Sequence, residues 1–248
     1  SGMVNRHDQT VVKSIPLGIA DPYDFASQVG GALPFPVIVD NDANCAAHGE
    51  LVWNKNSDQI TNGLFVLLEF REGAANVEYS SDVGMGLGFI LNGSVYYVDD
   101  GSAGEFRSIF FHPGHNSQFS ISDQEAIGAI HKPAVLPRLV EEIAQHVALF
   151  VNTLNLKRVI VGGDVGSIRE MIVDSFESAV NANWPYPDQV GCPISISRLE
   201  NNIVATGAAA MMLSHVFSEP VLASALREKN AVWNTVFRAR ASAVGTEV

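Results

Sequence analysis

One aspartate stands where it could do chemistry. Asp42 lies in the run Asn-Asp-Ala-Asn at residues 41–44, directly after Val-Ile-Val at 37–39, a short β-branched run that predicts a buried strand. Ligands of α/β proteins gather at the carboxyl ends of strands, where an aspartate could accept a hydroxyl proton as a general base. The same side chain could instead cap the helix predicted over residues 45–52. The residues alone leave both interpretations open.

Two groups of glycines could approach a phosphate. Gly84, Gly86 and Gly88 alternate with larger residues, and Gly162-Gly163 follows the strand predicted at 158–161. Glycine lets backbone amides come close to an anion. The structural alternatives are a hairpin with a glycine-rich bend leading into a strand at 94–98, and a plain strand-to-helix turn.

The elements that must position these residues alternate between strand and helix. A strand is predicted over residues 64–70, and an amphipathic helix ends near Asn155. That helix has apolar residues at 139, 143, 147, 150 and 154. Further helices are predicted over 167–181, over 201–217 and from 220 onward. The alternation predicts an α/β fold.

Composition and charge exclude several classes of protein. The chain has 248 residues, of which 47% are hydrophobic and 17% charged, as in folded globular proteins. The net charge of −12 and the lack of a basic stripe predict no direct binding of nucleic acid. No apolar run approaches the ~20 residues that span a bilayer. Two distant cysteines, Cys45 and Cys192, favour a reduced, cytoplasmic setting over a disulfide framework.

Taken in order, these segments resemble the ROK family of repressors, open reading frames and sugar kinases. The matching segments are 37–47, 84–89 with Asn92-Gly93, Ala103-Gly104-Glu105, 152–164 and Gly207-Ala208-Ala209. The resemblance runs from about residue 10 to 215. It implies an actin-like ATPase fold, ribonuclease H-like and two-lobed, with the ligand in the cleft.

The resemblance also implies a division of the chain. Residues 1–55 would be the remainder of the first lobe, 56–217 the second lobe with its glycine-rich loops, and 218–248 a C-terminal helical tail. Family kinases open with an Asp-x-Gly-Gly-Thr loop that holds ATP, and this sequence contains no such segment. We therefore expect an incomplete first lobe.

The family's site residues map onto this sequence by position. Asp42 would be the catalytic base if the protein is a kinase. The sugar-binding set implied is Asn41, Asp42, Glu105, Ser108 and Glu125. The nucleotide-binding set implied is Gly84, Gly86, Gly88, Gly162, Gly163 and Gly207.

Two of these positions depart from the family. Ser108 stands where family members have a histidine, and Glu125 stands for the glutamate that ends a cysteine-rich zinc motif that is absent here. Zinc is therefore not expected. His112 and His115 lack nearby cysteines and are predicted to lie in a solvated loop.

Three functions follow from the resemblance. The first is a sugar-sensing effector domain of a ROK transcriptional regulator, which binds a small sugar or sugar phosphate without efficient catalysis. The second is an ATP-dependent sugar kinase, represented by a fragment, that uses Mg-ATP. The third is a structural relative whose cleft binds nothing. A homodimer is expected by analogy, and neither a membrane nor direct nucleic-acid contact is expected.

Overall fold

A computed structural model describes residues 2–33, 37–53, 60–71, 81–98, 101–199 and 202–218 of the chain. The helix predicted from residue 220 onward lies outside these ranges.

Helices and strands alternate along the described chain. The elements are β1 (Met3–Asn5), β2 (Thr10–Lys13), α1 (Phe25–Gly30), α2 (Asp42–Trp53), β3 (Gly63–Phe70), β4 (Val83–Leu91), β5 (Ser94–Val95), α3 (Asp123–Ala126), α4 (Leu136–Leu154), β6 (Val159–Gly163), α5 (Arg169–Ala182), β7 (Ile194–Ile196) and α6 (Ile203–Ser218). Short 3-10 turns span Ala129–His131 and Gly166–Ile168. No helix in the described ranges has both the length and the apolar character needed to cross a membrane.

The strands form two sheets. β1 and β2 make an antiparallel hairpin, while the larger sheet has the order β5-β4-β3-β6-β7. In that sheet β3 pairs antiparallel with β4 and parallel with β6, and β6 pairs parallel with β7. The sheet is therefore mixed, with β3 at its centre.

Helices cover both faces of the large sheet. Leu64, Val66 and Leu68 of β3 pack in one cluster with α4 and α5, whereas Phe65 and Leu67 pack in a second cluster with α2 and α6. Alternate residues of a strand face opposite sides, so a central strand covered on both sides is apolar throughout.

Helix α4 follows the predicted periodicity. Leu139, Ile143 and Val147 are fully buried, and the helix ends at Asn155, whose φ of 51° gives a left-handed C-cap. Leu154, the last residue of the predicted apolar stripe, is instead 46% exposed.

The strand predicted at residues 37–39 is wrong. This segment approaches α2 without pairing to a strand. The Val39 N–H donates to Gln9 Oε1 at 2.6 Å, and the Asn41 N–H donates to Asp40 Oδ1 at 2.7 Å. Side chains thus satisfy backbone groups that a ladder would otherwise pair.

The predicted glycine-rich bend is also wrong. Gly84, Gly86 and Gly88 lie within β4, and the hairpin turns instead at Asn92-Gly93, where φ is 54° and 77°. Positive φ at both residues is what a tight hairpin turn requires, and Asn-Gly supplies it at low cost. The strand after the turn is only Ser94–Val95.

Candidate functional site

The first turn of α2 carries the central carboxylate. Asn41 caps the helix, because its Oδ1 accepts from the Ala43 N–H at 2.9 Å and the Asn44 N–H at 3.3 Å. Its Nδ2 donates to the Gly2 carbonyl at 3.0 Å. The main cap is therefore Asn41, and Asp42 extends from the first turn towards a pocket.

That pocket has a volume of about 210 Å³. It lies between the hairpin β1–β2, the start of α2, strand β4 and the segment 104–107. Asn41, Asp42, Gly84, Gly86 and Glu105, all predicted from the sequence, line it together. Carboxylate and amide groups converging in a cleft are suited to hydrogen bonding with hydroxyl-rich ligands.

Glu105 reaches the pocket because Gly104 lies directly against β4. Gly104 has φ of +91°, and a Cβ there would lie 1.9 Å from the Leu87 carbonyl oxygen. The Leu87 N–H donates to the Gly104 carbonyl at 3.2 Å. Only glycine fits this contact, so the Ala-Gly-Glu segment fixes Glu105 beside the strand.

The environment of Glu105 favours its protonated form. Glu105 is exposed by surface area, but the protein atoms around its carboxyl group partly desolvate it, and this desolvation raises its pKa. The negative charge of Asp42 raises the pKa further. The Glu105 carboxyl group is therefore close enough to Asp42 for that charge to affect its pKa.

Gln118 is a pocket residue that sequence reasoning missed. Its Oε1 accepts from the Met85 N–H at 2.8 Å, and its Nε2 donates to the carbonyls of Met85 at 3.1 Å and Phe106 at 2.8 Å. Gln118 thereby ties β4 to the segment that carries Glu105. An isolated glutamine in a loop offers no motif by which to find it.

Three basic side chains of the pocket were missed as well. Lys13, Arg71 and Arg107 line it. The Arg71 guanidinium is ion-paired with Glu69, and the Arg71 backbone N–H donates to the Asp82 carbonyl at 2.6 Å. The Arg107 guanidinium lies 4.5 Å from the centre of the Phe111 ring. None of the three falls in a segment that carried the family resemblance.

The β4 glycines serve close packing. A Cβ on Gly88 would lie 2.6 Å from the Ala43 carbonyl oxygen and 2.8 Å from the Ala47 Cβ. A Cβ on Gly86 would lie 3.1 Å from the Ala43 Cβ. The glycines thus form a flat strand surface against which α2 lies. Gly88 is covered by the helix, whereas Gly84 and Gly86 border the pocket.

The other predicted nucleotide glycines lie away from the pocket. A Cβ on Gly207 would lie 1.9 Å from the Cys45 carbonyl oxygen, at the crossing of α2 and α6. A Cβ on Gly162 would lie 2.7 Å from the Phe65 ring. Gly163 has φ of +95° and faces the Leu68 carbonyl. These close contacts explain by packing alone why each of the three positions is a glycine.

Ser108 and Glu125 also lie outside the pocket lining. The Ser108 Oγ is buried and accepts from the Phe110 N–H at 3.0 Å. Glu125 forms a capping box with Ser122 at the start of α3 and pairs with Arg138 at 3.1 Å. The hydrogen bonds from Ser122 lower the Glu125 pKa. The structure therefore does not bring these two residues to Asp42.

A second polar cluster surrounds Asp40, the residue that precedes Asn41 and Asp42. Asp40 accepts from the Tyr97 O–H at 3.0 Å and pairs with Arg6 Nε at 3.2 Å, and the Arg6 guanidinium lies 3.8 Å from the centre of the Tyr97 ring. Burial raises the Asp40 pKa, which Arg6 partly offsets. Burial also raises the pKa of the neighbouring Cys45 thiol to about 12, so Cys45 is a protonated core residue.

Within the described ranges, no three His, Cys, Asp or Glu side chains group closely enough to hold a metal ion. The rings of His112 and His115 lie 6.0 Å apart, edge to face.

The mixed sheet with helices on both faces defines an α/β protein of the actin-like, ribonuclease H-like type, as predicted. Within that class, residues 1–117 match the ROK family model. A comparison with curated protein sequences finds no match.

Solved ROK structures share this fold. A ROK family transcriptional regulator, a homologue of the E. coli MLC protein, is 18% identical with a TM-score of 0.62 over 86% of this chain. The chain spans 60% of the length of that regulator. A ROK family glucokinase from Streptomyces griseus, in complex with glucose and AMPPNP, is 18% identical with a TM-score of 0.59, over 85% of this chain and 78% of the glucokinase. A ROK family protein from Streptococcus pneumoniae TIGR4, in complex with sucrose, is 16% identical with a TM-score of 0.59, over 86% of this chain and 78% of that protein.

Proposed function

We propose that the chain is the sugar-sensing effector domain of a ROK-family transcriptional regulator, binding a small sugar or sugar phosphate without efficient catalysis. The observation that carries this proposal is the convergence of Asn41, Asp42 and Glu105 on one pocket. Two carboxylates and an amide suit the alternating donors and acceptors of sugar hydroxyls. Binding a sugar in one state more tightly than in another would bias a DNA-binding segment elsewhere in the protein.

The glycine positions favour a sensor over a kinase. Phosphoryl transfer depends on donors and cations arranged around the phosphates. Here Gly88 packs against α2, Gly207 packs against Cys45, and Gly84 lies beneath Arg71. The glycines expected to cradle a nucleotide thus already have neighbours in the fold.

The alternative is an ATP-dependent sugar kinase in which Asp42 is the general base. It is favoured by the pairing of Asp42 with Glu105 in a pocket bordered by Gly84 and Gly86. A ROK glucokinase of the same fold holds glucose and AMPPNP. The homodimer, the cytoplasmic location and the division of the chain at residues 55 and 217 stay predictions.

Calorimetric titration of the purified chain tests both functions. Glucose, N-acetylglucosamine, xylose and their phosphates would be titrated with and without Mg-ATP. We expect saturable sugar binding that weakens about 10- to 150-fold in Asp42→Ala, since a hydrogen bond to a charged group contributes about 1.5–3 kcal/mol. The matched control is Asp188→Ala, because Asp188 is exposed and lies outside the pocket lining.

The outcomes separate the candidates. Sugar binding with no heat from Mg-ATP and no product supports the sensor. Nucleotide-dependent binding with phosphorylated product supports the kinase, and Asp42→Asn should then abolish turnover. No binding heat from any sugar, or the same loss of sugar affinity in Asp188→Ala as in Asp42→Ala, refutes a sugar site at Asp42.

A further inference from the structure

Arg71 occupies a position that only glycine at residue 84 allows. A Cβ on Gly84 would lie 2.9 Å from the Arg71 Nη2, 3.2 Å from its Cζ and 3.3 Å from its Nη1. The guanidinium therefore lies over the bare backbone of β4. Glu69 pairs with Nη2 and orients the group from one side.

Arg71 and Asp42 lie along the same strand surface. A Cβ on Gly86 would lie 3.8 Å from Asp42 Oδ1, just as one on Gly84 would meet Arg71. Residues two apart on a strand share a face and are separated by about 7 Å. A cation and a carboxylate thus lie side by side on the pocket floor, at a spacing that one sugar ring with a substituent can bridge.

The pocket lining has balanced charge, although the protein as a whole is acidic. Its lining contains three basic residues, Lys13, Arg71 and Arg107, against three acidic ones, Asp42, Glu69 and Glu105. The whole chain has 15 basic and 27 acidic residues. The Arg71 side chain is only 25% exposed, so its charge is less screened than that of a surface arginine.

We propose that Arg71 is a specificity-determining residue that selects an anionic sugar, one carrying a carboxylate or a phosphate. The sugar hydroxyls bind Asp42 and Glu105, and the oxyanion binds the guanidinium above Gly84. This inference rests on the proposed sugar-binding function and names its ligand class.

The chemistry of arginine favours an oxyanion at this position. A guanidinium carries five N–H donors in a planar fork, so a pair with one carboxylate leaves donors for a second acceptor. Charge-assisted hydrogen bonds to an oxyanion are roughly twice as strong as those to a neutral hydroxyl. A neutral sugar would make the weaker bonds and leave the partly buried cation less well compensated.

Matched ligands that differ in one charge test the proposal. The 248-residue chain would be titrated with glucose, glucuronate and glucose 6-phosphate, and with N-acetylglucosamine and its 6-phosphate. We expect at least one anionic member to bind about 10-fold or more tightly than its neutral partner, and the two glucose derivatives distinguish a carboxylate from a phosphate.

Two variants locate the effect. Arg71→Gln should abolish the preference for the anion, because the anionic sugar loses more affinity than its neutral partner. Gly84→Ala keeps the positive charge but displaces the guanidinium, because the new Cβ would meet the end of a flexible side chain. It should also reduce the preference. Arg198→Gln is the control, since Arg198 is exposed and lies outside the pocket lining.

Each other outcome counts against the proposal. Equal binding of neutral and anionic partners to the wild type refutes the anion preference and leaves sugar sensing intact. A preference that survives in Arg71→Gln assigns the selection to another residue. Binding of no sugar, neutral or anionic, removes the proposed function together with this inference.

Discussion

Replacement of Gly207 by alanine should destabilise the protein, although alanine is the better helix former. Gly207 lies in α6 where it crosses α2, and a Cβ there would lie 1.9 Å from the Cys45 carbonyl oxygen and 2.5 Å from its carbonyl carbon. Ordinary van der Waals contact begins at 3.4 Å. The oxygen is therefore too close by about 1.5 Å, and both neighbours are backbone atoms that cannot rotate away.

The two energetic effects have opposite signs. Overpacking a dense interior costs about 1–3 kcal/mol, and the upper end applies where backbone must move. Helix propensity returns about 1 kcal/mol on replacing glycine by alanine. The net expectation is a loss of about 2 kcal/mol, which lowers the Tm of a chain of this size by about 4–8 °C.

Thermal unfolding followed by circular dichroism measures the effect. Gly166→Ala is the control, because a Cβ there has nothing within 4 Å, and its Tm should stay within about 2 °C of wild type. A Gly207→Ala variant with unchanged or higher Tm would refute the packing argument. If that stable variant had also lost nucleotide binding, the role predicted for Gly207 from the family resemblance would be restored.

Two further predictions concern the buried and the pocket carboxylates. Tyr97→Phe removes the 3.0 Å hydrogen bond to Asp40 and should lower the free energy of unfolding in urea by about 1.5–3 kcal/mol. Tyr186→Phe is the control, because Tyr186 is exposed. Equal small losses of stability in the two variants would contradict the prediction. Burial and the charge of Asp42 raise the Glu105 pKa, so the folded state holds the Glu105 proton more tightly than the unfolded chain does. The stability that this proton contributes is therefore present below pH 4.5 and is lost as the pH rises through the raised pKa. Glu105→Gln should therefore gain Tm relative to wild type between pH 4 and 7, and a pH-independent difference would count against the shift.

Much of the fold could be predicted from the sequence where periodicity decides. The stripe at Leu139, Ile143 and Val147 predicts α4 and its buried face, and the apolar run of β3 is what a strand covered on both sides requires. The run at 37–39 misled because β-branched residues favour a strand only where a neighbouring strand can pair. Here Gln9 from the first hairpin supplies the hydrogen bond instead.

The glycines of β4 show a second limit. Their spacing of two fits a strand with a flat face as well as a phosphate loop, and the helix that needs the flat face begins about 40 residues earlier in the chain. Only the tertiary fold shows that Ala43 and Ala47 lie against them.

The site was predictable where a local motif carried it. Asn41, Asp42 and Glu105 lie in short segments that resemble family motifs, and they meet in the pocket. Arg71 and Gln118 act through contacts with distant backbone, over Gly84 and with Met85 and Phe106. No local pattern marks such residues.

The close contact of α2 with the glycine strand and with α6 limits which substitutions the helix can accept. Ala43 and Ala47 lie against Gly88, and Cys45 lies against Gly207, with no room for an added Cβ, so stability alone requires both glycines to stay small. The helix that carries Asp42 is thereby kept in place by packing, independently of what the pocket binds. Substitutions at the pocket rim can therefore change the ligand that is accepted without moving this carboxylate.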